Sequence, residues 1–469
     1  MSNAPSNVRP GSAAEHVGAR LRQAIAGGMP GDALPSVRVL VRELHVSAAT
    51  VSQAIAQLQR EGLVVAQPGH GTFIAGRVAP ALPRDHGWQS VVLGEGLPTD
   101  ALQALMAETP PGAIPLGSGY MDSALQPIGM LARITAQALR RPDAWERTPP
   151  AGIEPLRAWF AHEAGGSLRA SDVIIVQGAQ AAISTAVRAI ARPGASILVE
   201  SPTYVGAIAV ARALGLRPVP VPCDRDGIRP DLLRAAFAAS GARVLYCQPC
   251  YANPTGACLP AERQAAVLAA AREAGAFIIE DDYARDLTLQ GRPPPSLVST
   301  DDDHVIYIRS MTKSIAPSLR VAALCARGPV LARLRASRII DDYFVPRVLQ
   351  EVTLAFVTSA IWPRHIKQLQ QSLRERQAVA VAALAKHMPS ARLAMVPQGG
   401  FSLWLELPSH IDDTGLVRRA AVDGVSVSPG RHWFPAEPEG SFLRLSIAAA
   451  PPEDIEEGIA RLGAIVDSL

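Results

Sequence analysis

Lysine is nearly absent from this chain. Of 45 basic residues only Lys313, Lys367 and Lys386 are lysines; the others are arginines. A guanidinium stays protonated and delocalised and forms no Schiff base, whereas a lysine amine forms one once its pKa is lowered. Any such chemistry is therefore confined to three positions. Cysteine is scarce as well: Cys223, Cys247, Cys250, Cys258 and Cys325. Cys247-x-x-Cys250 invites a metal or redox reading. No second cysteine pair or histidine cluster stands at zinc spacing, and an odd count in a reduced compartment favours free structural thiols, so no metal is expected. Long hydrophobic runs are missing too. No stretch of about 18 uncharged apolar residues occurs, so no membrane span is expected. Met1–Pro10 is polar with no apolar stretch behind it, which argues against a secretory signal and makes a cytoplasmic location the expectation.

What is present is length and an uneven charge. The chain has 469 residues, too many for one ordinary core, so two or three domains are expected. Residues 1–78 carry seven arginines and four acidic residues. The remaining residues are balanced, so the net charge of +3 belongs to the first sixth of the chain. That suits a polyanionic partner for the N-terminal segment and none for the rest.

The pattern predicts a helix over Ala13–Gly27, with Val17, Leu21, Ala24 and Ile25 on one face and Gly27-Gly28 ending it. Ser36 caps a short helix over 37–44, and Ser47 caps a third over 48–61 that Gly62 stops. Leu63–Gln67 and Thr72–Ala75 read as strands flanking the turn Pro68-Gly69-His70-Gly71. A helix after such a turn can enter the major groove with its first residues at the base edges. A small α+β interaction domain shares the same pattern. Residues 79–115, with Pro80, Pro83, Pro98, Pro110, Pro111 and Pro115, read as a semi-extended tether, with a helix possible over 101–108.

From residue 116 helical stretches alternate with the apolar runs Val173–Val176, Ser196–Val199, Val244–Cys247, Phe277–Ile279, Val305–Ile308 and Ala322–Cys325. This predicts an α/β fold with a mainly parallel, doubly wound sheet, whose ligand sits beyond the carboxyl ends of the strands. Polar motifs follow those strands. Gly178-Ala179-Gln180 opens a helix where free N–H groups favour a phosphate, although a plain helix start reads the same way. Tyr204 offers a flat face for a ring, or ordinary packing. Asn253, in Asn-Pro-Thr-Gly, can donate to a phenolate oxygen, and its bond to Pro254 is a candidate cis peptide. Asp281 can keep a pyridine nitrogen protonated, with Tyr283 two residues on; a solvated acidic turn is the alternative for Glu280-Asp281-Asp282. Lys313 lies in Ser310-Met-Thr-Lys313, seven residues before Arg320. Together these read as a pyridoxal-phosphate pocket, with Ser310 and Arg320 on the phosphate. Arg444, in the apolar run Phe442–Ser446, needs an anion: a bound carboxylate or a salt bridge within the protein.

Leu34-Pro-Ser-Val-Arg38, Val46-Ser-x-x-Thr50-Val51 and Glu61-Gly-Leu63…Gly69-His-Gly-Thr-Phe73 resemble the GntR-type winged helix-turn-helix. The later motifs, in their order and spacing, resemble fold-type I aminotransferases. The joined chain is similar to the MocR/GabR family of transcriptional regulators. That resemblance implies a DNA-binding head over 10–78, a linker over 79–115 and an aminotransferase-like body over 116–469, with a smaller α+β subdomain over about 345–469. It implies that Arg38, Ser47 and Thr50 touch phosphates or bases, that Gln53 is a further base-contact candidate, and that the wing tip at His70-Gly71 reaches the minor groove. Ala48 departs from the family, many of whose members carry Arg there. The resemblance further implies pyridoxal 5'-phosphate bound to Lys313 as an aldimine, an amino-acid or amine effector that exchanges with Lys313 and is gripped through Arg444, altered binding to a double-stranded operator, and a homodimer, head-to-tail and domain-swapped. Residual aminotransferase activity stays open, as does the alternative of a working aminotransferase with an N-terminal autoregulatory domain.

Overall fold

The structure is a computed structural model that describes residues 13–67, 69–75, 86–93 and 100–469. Pro68 and the linker prolines Pro80, Pro83 and Pro98 lie outside the described residues. The chain divides into two compact units, residues 1–96 and 97–469.

The first unit holds α1 (Ala13–Gly27), α2 (Val37–Leu44), α3 (Ala48–Arg60), β1 (Val64–Gln67) and β2 (Gly71–Ile74). Each helix start has a chemical reason. The Ser36 hydroxyl accepts from the Val39 N–H at 3.4 Å, and the Ser47 hydroxyl accepts from the Thr50 N–H at 3.2 Å, satisfying donors that have no partner inside the helix. β1 and β2 pair antiparallel from Val64↔Ile74 to Gln67↔Gly71 and form the wing. Val17, Leu21, Leu40, Val51, Ala54 and Leu58 close a small core.

The second unit is built on an eight-stranded sheet. Its strands are β3 (Val173–Val176), β4 (Ser196–Ser201), β5 (Arg217–Asp224), β6 (Gly227–Ile228), β7 (Val244–Cys247), β8 (Phe277–Asp281), β9 (Val305–Ser310) and β10 (Ala322–Cys325), in the order β3-β10-β9-β8-β7-β4-β5-β6. The pairs β9–β8, β8–β7, β7–β4 and β4–β5 are parallel. β10 runs antiparallel to both its neighbours, and β6 antiparallel to β5. β3, β7, β9 and β10 are buried along their whole length, as expected for strands covered on both faces. Two apolar cores flank this sheet.

A second sheet, β11 (Arg392–Leu393), β12 (Ser402–Glu406), β13 (Ser428–Pro429) and β14 (Phe442–Ser446), has the order β11-β12-β14-β13. It packs with the helices Trp362–His387 and Pro452–Asp467 around a third core. Two segments are shared out differently from the sequence expectation. Val345, Val352 and Phe356 pack into a core of the large sheet rather than the smaller subdomain. Ile114, Leu116 and Met121 join the smaller core, and Ile114–Pro115 pairs with Val425–Ser426. The C-terminal part of the expected tether is ordered on the body too: in the helix Asp100–Met106, Ala101, Leu102 and Leu105 pack beside Val205, Trp404 and Trp433. Apolar side chains at helical spacing outweigh the surrounding prolines there.

Candidate functional site

The polar motifs converge where the parallel strands end. Asp281 is the last residue of β8, and Lys313 follows β9 by three residues. Ala179 opens the helix Ala179–Ile190 just after β3, and Tyr204 opens Val205–Ala213 just after β4. Arg444 comes from β14 of the smaller sheet. Ala179, Tyr204, Asn253, Asp281, Tyr283, Lys313 and Arg444 all border one cavity. Gly119, Tyr120, Gln248, Phe401 and Trp433 complete its wall, with Leu105 and Met106 at its edge.

The Lys313 Nζ donates to the Gly119 carbonyl at 2.6 Å and lies 4.1 Å from the centre of the Tyr120 ring. Burial pushes its pKa down to about 7, the Arg444 and Arg320 cations push the same way, and Asp281 opposes them. A lysine near neutrality is a competent nucleophile. Asp281 Oδ2 accepts from the Tyr246 hydroxyl at 2.7 Å and from Gln248 Nε2 at 2.8 Å. Its other oxygen, Oδ1, is buried and has no hydrogen-bond partner among the described residues. Burial raises the Asp281 pKa to about 6, against the pull of those two donors. The solvated-turn alternative fails, because Glu280, Asp281 and Asp282 are all buried.

Arg444 is buried, and no carboxylate pairs with it among the described residues. Its Nε donates to Asn253 Oδ1 at 3.0 Å and to the Ser402 hydroxyl at 3.2 Å, and its Nη1 donates to the Gly117 carbonyl at 3.2 Å. The guanidinium carbon lies 4.9 Å from the Trp433 ring centre. Burial lowers its pKa to about 10. An internal salt bridge is thus replaced by neutral partners that position a cation without neutralising it. Asn253 spends Oδ1 on Arg444, and the Asn253–Pro254 bond is cis, as is Ser201–Pro202.

Three expected residues stand outside the cavity wall. The Ser310 hydroxyl donates to Thr312 Oγ1 at 3.0 Å. Gln180 Nε2 donates to the Gly206 carbonyl at 3.1 Å. Arg320, held at φ 49°, donates to the Gln177 carbonyl at 3.0 Å. Its guanidinium crowds the helix start so closely that a Cβ on Gly178, at φ +86°, would come within 2.8 Å of it. Only glycine suits that position.

The sequence reading passed over Gly119, Tyr120, Tyr246, Gln248 and Trp433. Tyr246 and Gln248 carried a usable signal, since polar groups at the end of a buried strand need partners. Gln248 links the motifs: it reaches Asp281 with Nε2, takes the Asn253 N–H on Oε1 at 2.9 Å, and gives its own N–H to Glu200 at 2.9 Å. Gly119 and Tyr120 lie in an irregular segment that offered no pattern.

In the head, Ser47, Thr50 and Gln53 lie on the first turns of α3, and Arg38 lies on α2. Arg38, Ser47 and Gln53 are exposed, and Thr50 is half-buried. Ser47 Oγ and Thr50 Oγ1 are 2.8 Å apart. His70 and Gly71 stand exposed at the turn of the wing. Among the described residues no cluster of three or more metal-ligating side chains occurs, and no helix is long and apolar enough to cross a membrane.

The fold and site define an aminotransferase body, and the head a winged helix-turn-helix. Residues 116–462 match the family Aminotransferase class I and II, and residues 13–74 match Bacterial regulatory proteins, gntR family. The HTH-type transcriptional regulator TauR of Rhodobacter capsulatus is 30% identical over 471 residues, covering 94% of this chain and 95% of TauR. The probable rhizopine catabolism regulatory protein MocR of Rhizobium meliloti is 27% identical over 456 residues, covering 93% of this chain and 90% of MocR. The solved LysN, an α-aminoadipate aminotransferase from Thermus thermophilus complexed with N-(5'-phosphopyridoxyl)-L-leucine, superposes with a TM-score of 0.74 at 28% identity, over 81% of this chain and 98% of LysN. The chain belongs to the aminotransferase class I and II family and, with its gntR-type head, is an HTH-type transcriptional regulator of the MocR kind.

Proposed function

We propose that the body binds pyridoxal 5'-phosphate at Lys313, recognises an amino acid or amine there, and passes the difference to an operator-binding head. The observation that carries this reading is a buried Arg444 with no carboxylate partner among the described residues, in the same cavity as a lysine whose amine is half neutral near pH 7. The residues fit the cofactor. The Asp281 Oδ1, without a partner among the described residues, suits a protonated ring nitrogen, Asn253 suits the phenolic edge, and Tyr204 suits the ring face; Tyr283 borders the same cavity but gives its hydroxyl to the Tyr251 carbonyl at 2.9 Å. The helix start at Gly178-Ala179-Gln180, with Arg320 against Gly178 and Ser310 two strands away in register, suits the phosphate. Bound through its aldehyde, the cofactor supplies an electron sink. The chain supplies the rest: Arg444 orients a carboxylate bidentately, and Asp281 and Gln248 fix the ring.

An effector changes operator affinity only through different affinities for two states of the protein, typically about 1–3 kcal/mol. We place the protein in the cytoplasm, as a homodimer whose two heads meet paired half-sites of double-stranded DNA through Arg38, Ser47, Thr50, Gln53, His70 and Gly71. The test is operator binding by the cofactor-loaded protein against a panel of amino acids and amines, with DNA flanking its own coding region. An effector should shift affinity about fivefold or more, and Lys313→Ala should abolish the response. A response that survives in Lys313→Ala would overturn the reading. A working aminotransferase keeps support from the near-neutral Lys313 and the likeness to LysN. Multiple turnovers with an amino-acid and keto-acid pair, at ordinary enzyme rates and without DNA, would favour it.

A further inference from the structure

Two cysteines, Cys250 and Cys258, stand on the two legs at the base of the loop that carries Asn253. Its two legs, residues 249–252 and 257–259, run antiparallel: the Leu259 N–H donates to the Pro249 carbonyl at 2.8 Å, and the Ala252 N–H to the Ala257 carbonyl at 2.8 Å. The two bonds are one residue out of a regular ladder, because Tyr251, at φ 56°, is an extra residue on the first leg. Cys250 and Cys258 directly adjoin the bonded Pro249 and Leu259, one on each leg, so the closed base of the loop holds them near each other. Antiparallel legs joined by such bonds run about 4.5–5.5 Å apart, within the roughly 4.4–6.8 Å Cα separation that a disulfide spans.

The two thiols are not alike. Cys250 is buried; Cys258 is half-buried and borders a surface depression with Arg225, Asp226 and Gln398. Nearness to the other thiol holds the Cys258 pKa below the usual thiol value and raises that of Cys250. An accessible sulfur with thiolate character beside a buried partner is the arrangement of an attacking and a resolving thiol. Cys247, which the Cys-x-x-Cys spacing had offered as the partner, lies buried inside β7 with its pKa pushed well up by burial.

We infer that Cys250 and Cys258 form a reversible disulfide site that takes hydroperoxide oxidants. The Cys258 thiolate attacks one peroxide oxygen and the O–O bond breaks, giving a sulfenic acid and hydroxide, which leaves as water. The Cys250 sulfur then displaces the sulfenic oxygen as a second water, and the S–S bond forms. Two thiols lose two electrons and two protons, and one hydrogen peroxide becomes two waters. A dithiol reverses the step.

The bridge reports directly to the cavity. Tyr251, on the first leg at φ 56°, accepts the Tyr283 hydroxyl on its carbonyl at 2.9 Å. Asn253, on the same loop, holds Arg444. Clamping the legs fixes both contacts, so the oxidised protein releases pyridoxal phosphate about threefold more slowly, or slower still, as preorganisation of a binding loop predicts. This consequence rests on the cofactor reading above; the bridge itself does not.

The test treats the full chain with hydrogen peroxide, blocks remaining thiols and cleaves with chymotrypsin. Cutting after Tyr251 leaves two peptides that only a bridge can join. Joined peptides in the wild type and in Cys247→Ser, absent from Cys258→Ser and lost on adding dithiothreitol, are the expected result. Over-oxidised Cys258 without a bridge, or a bridge that needs Cys247, would overturn the site. Cofactor release is then timed by absorbance. A bridged protein that releases cofactor at the reduced rate would overturn the coupling, and one that binds none in either state would overturn the cofactor reading while leaving the bridge standing.

Discussion

Tyr246 gives its hydroxyl to one oxygen of Asp281 at 2.7 Å, and the other oxygen of that buried carboxylate has no partner among the described residues. A carboxylate half satisfied in this way is held in place for a donor that arrives later. Losing a charge-assisted hydrogen bond costs about 1.5–3 kcal/mol, so Asp281→Asn should weaken pyridoxal phosphate binding roughly 10- to 100-fold. Tyr246→Phe should weaken it less, since Gln248 still holds the carboxylate. Absorbance titration of the two variants checks the order.

The Lys313 amine attacks only when neutral, and its pKa is pushed down to about 7. The rate of cofactor capture should therefore rise from about pH 6 and level off above about pH 8, well below the usual lysine value of about 10.4. Removing a nearby cation favours the charged amine. Arg444→Gln should consequently move the midpoint to higher pH, as stopped-flow capture across a pH series will show.

Arg444 should also sort effectors by their carboxylates. Arg444→Lys keeps a charge but loses the planar fork, so a carboxylate-bearing effector should bind roughly 10- to 100-fold more weakly, on the scale of a charged hydrogen bond. Simple amines should bind as before. Isothermal titration of matched pairs, an amino acid and its decarboxylated amine, measures this.

In the head, capping and contact can be separated at Ser47. Ser47→Ala removes the α3 cap and should cost about 1 kcal/mol of stability. Ser47→Asp caps as well but sets a negative charge toward DNA, so it should restore thermal stability and still bind operator poorly. Arg38→Ala should lower the salt slope of operator binding by about one unit if Arg38 meets a phosphate.

The parts legible in the sequence were those whose local chemistry and tertiary role agree. Ser36 and Ser47 announce helix starts, and Val173–Val176 and Val305–Ile308 are apolar runs of strand length. β5 stayed hidden because Pro218, Pro220 and Pro222 disguise it. The structure tolerates them because β5 pairs along its length only with β4; on its other side β6 meets it at Cys223 and Asp224 alone, so most of its N–H groups on that side need no partner. Lys313, Asp281 and Arg444 were readable because each is chemically conspicuous in an apolar setting. Gly119, Tyr120 and Trp433 were not, because their roles arise from distant segments brought together by the fold. The nearness of Cys250 and Cys258 depends on an irregular loop closure that no spacing rule encodes.

The central claim is the covalent attachment at Lys313, and the scarcity of lysine makes it unusually clean to test. The purified protein is supplied with pyridoxal phosphate, reduced with borohydride, digested and mapped by mass spectrometry. The account predicts one phosphopyridoxyl adduct, on Lys313, with Lys367 and Lys386 unmodified. An unmodified Lys313, or label spread over all three lysines, would contradict it.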